Sequence, residues 1–249
     1  MLVLLAVTMH LPITVIMLGL LTGCASTPPP ADTPARVPVD HGPQAPATGP
    51  IRADLRAALL DLSERDQAAR RTLIELMADA EPAPGGGVML DAEQGSAMQA
   101  MMAIDAESTA FLKETIVSHG WPTVTMVGPD GAGAAWLLAQ HADADPALQA
   151  EVLELMRPLV DRGEADPKNF ALLTDRVLTG RGEPQMYGTQ FSDDGQGVMR
   201  PLPIADPRAV DERRATVGLP SLAEYAAQLS EAYGQPASPE PLDDRQGPS

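Results

Sequence analysis

Leu55-Arg-Ala-Ala-Leu59-Leu-Asp-Leu62-Ser-Glu-Arg-Asp66-Gln-Ala-Ala69-Arg-Arg-Thr-Leu73-Ile-Glu-Leu76 repeats apolar residues at alternating spacings of four and three, with Asp66 standing where the series calls for another apolar side chain. That period is one face of a helix, and it predicts an amphipathic helix of roughly seven turns. Asp61, Glu64, Arg65, Arg70 and Arg71 fill the other face, and Pro82 to Gly87 ends it. A second helix is expected from Glu93 to Ser118, striped by Met98, Met101, Ile104, Phe111, Leu112 and Ile116 and stopped by Gly120-Trp121-Pro122. The two are expected to pair antiparallel.

Further elements follow by punctuation. After a turn at Pro129-Asp130-Gly131, a third helix carries Ala134, Leu137, Leu138 and His141 on one side. Asp145-Pro146, Asp166-Pro167 and Asp206-Pro207 each offer a capping aspartate and a proline whose missing N–H costs nothing in a first helical turn. Gln185 to Phe191, the turn Ser192 to Gly197, and Val198 to Ile204 read as a β-hairpin. Pro201 and Pro203 make its second strand an edge, because proline cannot donate to a ladder. Ser221 with Glu224 is a capping box for a last helix. The expected fold is mainly α: a single domain over residues 51–233, with about six to seven helices and one small β-hairpin. Residues 234–249, rich in Pro and Asp, are expected to carry no regular structure.

The chain ahead of this domain reads as an address. An apolar run from Met9 ends in Leu21-Thr22-Gly23-Cys24, the form of a bacterial lipobox, so residues 1–23 are expected to be a signal peptide and Cys24 a lipidated first residue. Acyl chains on Cys24 would anchor the protein to a membrane on the extracytoplasmic side, and Ala25 in place of Asp favours an outer membrane, facing the periplasm, in a Gram-negative cell. Residues 24–50 form a Pro-rich tether that in extended geometry reaches roughly 80 Å. With Cys24 the sole cysteine, no intrachain disulfide is available.

Charge and composition exclude several functions. Asp and Glu number 34 against 17 Lys and Arg, a net charge of −17 that repels nucleic acid, and Arg213-Arg214 is too small a basic patch to offset it. Without His-x-x-x-His, Glu-x-x-His or a usable cysteine, no metal site and no cofactor are expected. Asp193-Asp194-Gly195 lacks the spaced ligands of a calcium loop and reads as a turn.

Several short strings stand together in order: Gly120-Trp121-Pro122, Gln140-His141-Ala142-Asp143, Leu173-Thr174-Asp175-Arg176, Tyr187-Gly188-Thr189-Gln190, and Asp206-Pro207 followed by Val210-Asp211-Glu212-Arg213-Arg214 and Val217-Gly218-Leu219. As a set they resemble an uncharacterised bacterial domain family of unknown function carried on lipoproteins and secreted chains, with a family-like core over about residues 105–219. The resemblance implies a boundary and a set of positions to watch, but no activity.

Those positions can be weighed chemically. His141 lies on the apolar side of its helix, where it serves either as a hydrogen-bonded core residue or as a general base oriented by a carboxylate, Asp175 or Asp143. Ion pairs with Arg176, Arg213 or Arg214 are the competing use of both aspartates. Tyr187 and Thr189 alternate with Gln190 on the expected strand, and Arg213 and Arg214 form either a structural pair with Asp211 or a fork for a substrate anion. Two functions follow. The first is a non-catalytic envelope lipoprotein binding a protein, peptide or glycan in a cleft between hairpin and helices, through Tyr187, Gln190, Arg213 and Arg214. The alternative is a hydrolase or transferase on a polar envelope substrate, with His141 as base and Asp175 as its orienting acid. Exposure of His141 discriminates them, since a base must reach solvent-connected space.

Overall fold

The computed structural model describes residues 52–77 and 89–242, so the expected signal segment, Cys24, the expected tether, the expected turn over residues 82–87 and the last seven residues lie outside the described residues. Among the described residues the fold is mainly α: seven helices and one two-stranded antiparallel sheet. No helix there is long and apolar enough to cross a membrane.

The first two helices, α1 (Ala53–Met77) and α2 (Ala92–His119), take the expected bounds within one residue or two. Their contacts run in reverse order along the two chains, Arg52 to His119, Arg65 to Glu107, Arg70 to Asp105 and the Leu76 carbonyl to Gln94, so the pair is antiparallel. The buried face of α1 is Leu55, Leu59, Leu62, Asp66, Arg70 and Leu73. Asp66 therefore stays in the stripe rather than breaking it, and Arg70, expected on the solvent face, turns inward to meet it. The third helix, α3 (Val124–Gln140), departs from expectation at its start. Thr123 caps a first turn through the Met126 N–H, Gly128 interrupts it at φ = 77°, and Pro129 restarts the helix. The Pro129-Asp130-Gly131 string is thus a helix start, with glycine supplying the left-handed residue ahead of it.

Helices α4 (Pro146–Val160) and α5 (Pro167–Gly180) begin as their Asp-Pro pairs require, with Asp145 accepting from the Leu148 N–H and Asp166 from the Lys168 N–H. Asp206 does not cap. Its carbonyl and that of Ala205 are held by Arg213, its backbone sits at φ = 46°, and Pro207 opens a short 3-10 turn leading into α6 (Val210–Thr216). The final helix, α7 (Leu222–Tyr233), has the expected Ser221–Glu224 capping box.

The hairpin is shorter than the expected strands. β1 (Phe191–Asp193) pairs with β2 (Met199–Pro201) in the register Phe191 to Pro201, while Gln185–Gln190 is an irregular loop. Nor is β2 a free edge. The Met199 N–H donates to Pro236 and its carbonyl accepts from Ser238, and Pro201, unable to donate, accepts from Leu242, so the segment after α7 lines β2 up to a buried Leu242. Two apolar cores result. Leu59, Leu112, Leu138, Val152, Met156 and Leu173 anchor one among α1–α5. Phe191, Ile204, Leu222, Tyr225 and Leu229 form the other, with the Phe191 and Tyr225 rings edge to face at 5.7 Å.

Gly188 sits against the second core at φ = 67°, and a Cβ there would lie 2.8 Å from Ile204 Cδ1 and 3.0 Å from Leu222 Cδ1. We expect Gly188→Ala to cost about 2 kcal/mol or more, combining left-handed strain with overpacking. Gly133→Ala, in the open interior of α3, should instead gain about 0.5–1 kcal/mol. Urea denaturation of both variants measures this, and equal effects would refute it.

Candidate functional site

Asp175, fully buried on α5, accepts hydrogen bonds from the backbone N–H groups of Met186 (2.7 Å), Tyr187 (3.0 Å) and Thr189 (2.9 Å). Burial pushes its carboxyl above the ordinary value against the pull of those three donors. The other side of the same loop is held by cations. Arg213 donates to the Met186 carbonyl at 2.7 Å, and the fully buried Arg214 donates to Tyr187 and Pro220 carbonyls, each at 2.6 Å, with its guanidinium over the Tyr225 ring. Gln185 closes the loop internally, its amide bridging Gln190 and Leu202 carbonyls while its oxygen takes the Gln190 N–H.

These bonds revise the sequence-based assignments. Asp175 gives both oxygens to the loop and makes no bond to His141. Arg213 and Arg214 donate to carbonyls, with the buried Arg214 Nη2 left without a partner among the described residues, and Asp211 caps Leu222 instead of pairing with them. Tyr187, half buried, is fastened through its backbone on both sides, and it is not on a strand.

His141 has a carboxylate, but a different one. Its Nδ1 lies 2.9 Å from Asp66 Oδ2, which comes from α1, 75 residues away in sequence. Gln67 donates to the same oxygen, and Arg70 Nε donates to Asp66 Oδ1 at 2.9 Å while its Nη2 reaches Asp105 at 2.6 Å. Burial alone would raise the Asp66 carboxyl, yet the bonds from His141, Arg70 and Gln67 outweigh it and hold it at about 2. Burial drives His141 below its ordinary value, so it stands neutral, with its Nδ1 proton donated to an ionised Asp66. Its Nε2 is buried and has no hydrogen-bond partner among the described residues, and the residue is only 3% exposed. The interruption of the α1 stripe at Asp66 was the sequence signal for this partner.

A groove of about 290 Å³ opens beside this network, between α4, α5 and the start of β1. Arg176 forms its floor, only 9% exposed, with Nε donating to the Gln140 carbonyl, Nη1 to Gln190 Oε1, and an ion pair to Asp143 at 3.3 Å. Its Nη2 makes no hydrogen bond among the described residues. Gln149 braces the same wall, donating to Gln140 and Asp143, and Val177 and Phe191 supply apolar surface. Of the expected site residues, Gln190 reaches this groove, whereas His141, Asp175, Tyr187, Arg213 and Arg214 do not line it. Arg176 was visible in the sequence only as a partner for aspartate. A second concavity of about 300 Å³, between the start of α1 and the end of α2, contains none of the signature residues. No group of three or more His, Cys, Asp or Glu among the described residues could hold a metal ion.

Around Arg70 two titrations oppose each other. Burial, reinforced by Asp66 and Asp143 and resisted by Arg70, lifts the Asp105 carboxyl to about 6. An unfolded aspartate titrates near ~4, so the Asp105 contribution is fully present below that value and is lost as pH rises through about 6. His141 runs the other way: its contribution is present above the unfolded value of about 6.5 and declines as pH falls below it. Asp105→Asn removes the first and keeps the second. Its stability relative to wild type, from urea melts, should therefore rise between pH 4 and about 6.5 and then level off. A flat difference would mean that Asp105 ionises normally.

Neither a curated protein nor a solved structure matches this chain. A family model does, over residues 53–237, from the first residue of α1 to the segment paired with β2. That span is wider than the core over residues 105–219 and takes in Asp66, Asp175, the clamped loop and the groove. The chain belongs to DUF6624, a family of unknown function.

Proposed function

We propose that this protein is a lipoprotein of the cell envelope, acylated at Cys24, carried on a Pro-rich tether, and binding a protein, peptide or glycan partner in the groove between α4, α5 and β1. The observation that carries the binding reading is Arg176. A guanidinium removed from water is costly unless its donors are satisfied. Here Nε and Nη1 are satisfied and Nη2 is left for the groove, beside the carboxylate of Asp143 and the amides of Gln149 and Gln190. A wall with both donors and acceptors next to Val177 and Phe191 suits a partner that is polar and neutral overall, or one bearing a carboxylate. Catalysis by His141 is less well supported, because the imidazole is enclosed and its partner Asp66 is equally buried.

Two measurements test this proposal. In detergent phase partitioning of cell extracts, the wild-type chain should enter the detergent phase and Cys24→Ser the aqueous phase; identical partitioning would remove the anchor. For the groove, a photo-crosslinking residue at Ser192 should give a discrete adduct in cells, and one at Val117, 88% exposed on α2, should not. Equal labelling at both positions, or none at Ser192, would refute binding there.

A further inference from the structure

Two open groups stand side by side in the groove. A guanidinium has five N–H groups in a rigid fork. In Arg176, Nε donates to the Gln140 carbonyl and Nη1 to Gln190, which leaves Nη2 without a partner among the described residues. Arg176 keeps 9% of its surface exposed, and Nη2 is not one of the buried polar atoms that lack a partner, so it is the open end of the side chain. Asp143 is its counterpart. Its Oδ1 lies 3.3 Å from Arg176 Nε and accepts from Gln149, while Oδ2 has no partner among the described residues and the side chain is 52% exposed. The groove therefore offers a donor and an acceptor on adjoining side chains, each held in place by its other bonds.

Charge sets the sign of the ligand. In a chain of net charge −17, this groove is lined by two guanidinium groups, Arg176 and Arg181, and one carboxylate, Asp143. The exposed Arg181 forms no side-chain hydrogen bond or ion pair among the described residues, and Glu154, a carboxylate within its field, is bonded to Arg157 at 2.9 Å. Asp145, next to the lining residue Pro146, is paired with Lys113. Two positive charges against one negative leave a single positive charge over, which a ligand bearing one carboxylate balances. That carboxylate must bring a hydrogen-bond donor with it, because Asp143 Oδ2 stands beside the cation that holds it. Exposed Pro146 and half-buried Leu202 give the ligand apolar surface as well.

We infer that the groove takes the carboxyl-terminal end of a peptide chain: the terminal carboxylate is held by Arg176 and Arg181, and the N–H of the same terminal residue donates to Asp143. The inference rests on the groove reading above and names the part of the partner that enters. In a chain end the carboxylate and the N–H branch from one Cα, which matches a donor and an acceptor on adjoining side chains. A hexuronic acid carries its ring oxygen at that place, and an acceptor there meets Asp143 without a proton. A free amino acid brings an ammonium, and its added positive charge leaves the lining unbalanced. At about 290 Å³ the groove lies at the lower edge of ligand-pocket sizes, with room for the end of a chain and not for a long segment.

The test follows the ¹⁵N amide signals of Gly180 and Ser192, which line the groove, in the full-length chain in detergent micelles, with Val117 on α2 as control. The probe is N-acetyl-alanyl-leucine with its carboxylate free. It should shift Gly180 and Ser192 saturably and leave Val117 unmoved. The same dipeptide as its C-terminal amide should bind about tenfold more weakly or worse, because charge-assisted bonds are lost. An analogue ending in the hydroxy acid of leucine, with an ester oxygen in place of the N–H, should also lose about tenfold, because Asp143 then faces an acceptor. Arg176→Lys, which keeps the charge and loses the fork, should weaken the acid about tenfold and the amide little. Arg181→Gln, at an exposed position outside both cores, should lower affinity for the acid several-fold and leave the amide unchanged. Asp143→Ala should bind the dipeptide and its ester analogue equally. Equal binding of acid and amide by the wild-type chain, or of the N–H and ester forms, overturns the inference. So does tighter binding of free leucine, or of the methyl glycoside of glucuronic acid, than of the dipeptide. If Ser192 gives its crosslink in cells and the dipeptide shifts nothing, the chain-end assignment falls and the groove reading stands; if neither occurs, both fall.

Discussion

A carboxylate withdrawn from water persists only if its lone pairs are filled by fixed donors, and the architecture of this protein is arranged around meeting that requirement at Asp175. The three backbone N–H groups that fill it come from one short loop, so the loop cannot take a strand's extended course. It bends around the side chain, with glycine at 188 allowing the left-handed turn. Bending exposes the loop's carbonyls on the opposite side, and Arg213 and Arg214 of α6 take them. A helix, a loop and a second helix are thereby fixed in sequence, and the hairpin and α7 follow because they pack on what the loop positions. The chain contains little aromatic surface and one cysteine, so this polar layer joins two modest apolar cores that would otherwise meet through few contacts.

The helical half solves the same problem by a different route. Asp66 enters the α1–α2–α3 core at a position where leucine would continue the stripe, and its charge is met by Arg70 one turn on and His141 from another helix. Arg70 extends the network to Asp105, so two carboxylates share one guanidinium, and Asp105 is left the less compensated of the pair. Replacing such a network by apolar residues is often neutral or stabilising, whereas removing a single member leaves a buried charge unpaired. The network therefore fixes how the helices align more than it adds to stability. His141 is the member that ties the end of α3 to α1.

The helices were legible in the sequence because their information is local. The alternation of three and four in α1, the Asp-Pro starts of α4 and α5, and the Ser221–Glu224 box depend only on residues a turn apart. Asp206-Pro207 has the same local form and fails as a cap because its backbone lies at φ = 46° rather than in the extended region a cap takes, with Arg213, seven residues on, bonded to its carbonyl. The hairpin was found in place but drawn too long, since the pattern from Gln185 to Gln190 also fits a strand and only a carboxylate from α5 decides otherwise. The site was least legible. Gln190 and Asp143 were recognised as polar positions of interest, but the partner of His141 lies 75 residues away, and no spacing rule connects them. The break in the α1 stripe at Asp66 pointed there, as a polar residue kept in an apolar series needs a buried partner.

Neighbouring residues on α5 divide the labour between structure and groove. Successive helical positions point about 100° apart, so Asp175 and Arg176 face different elements from the same turn. Asp175 fixes the loop that ends in Gln190, and Gln190 in turn receives Arg176 Nη1 while its own amide is held by Thr189. The orientation of Arg176 toward the groove is thus secured at both ends: by the Gln140 carbonyl at the end of α3, and by a loop that Asp175 has immobilised. A guanidinium held this way presents its remaining donor without losing further rotamer freedom on binding, which is the condition under which a small groove gains affinity from one polar contact. The polar residues of this chain thus fall into two linked sets, with most of the charged ones building the frame and Arg176 placed by it beside the groove.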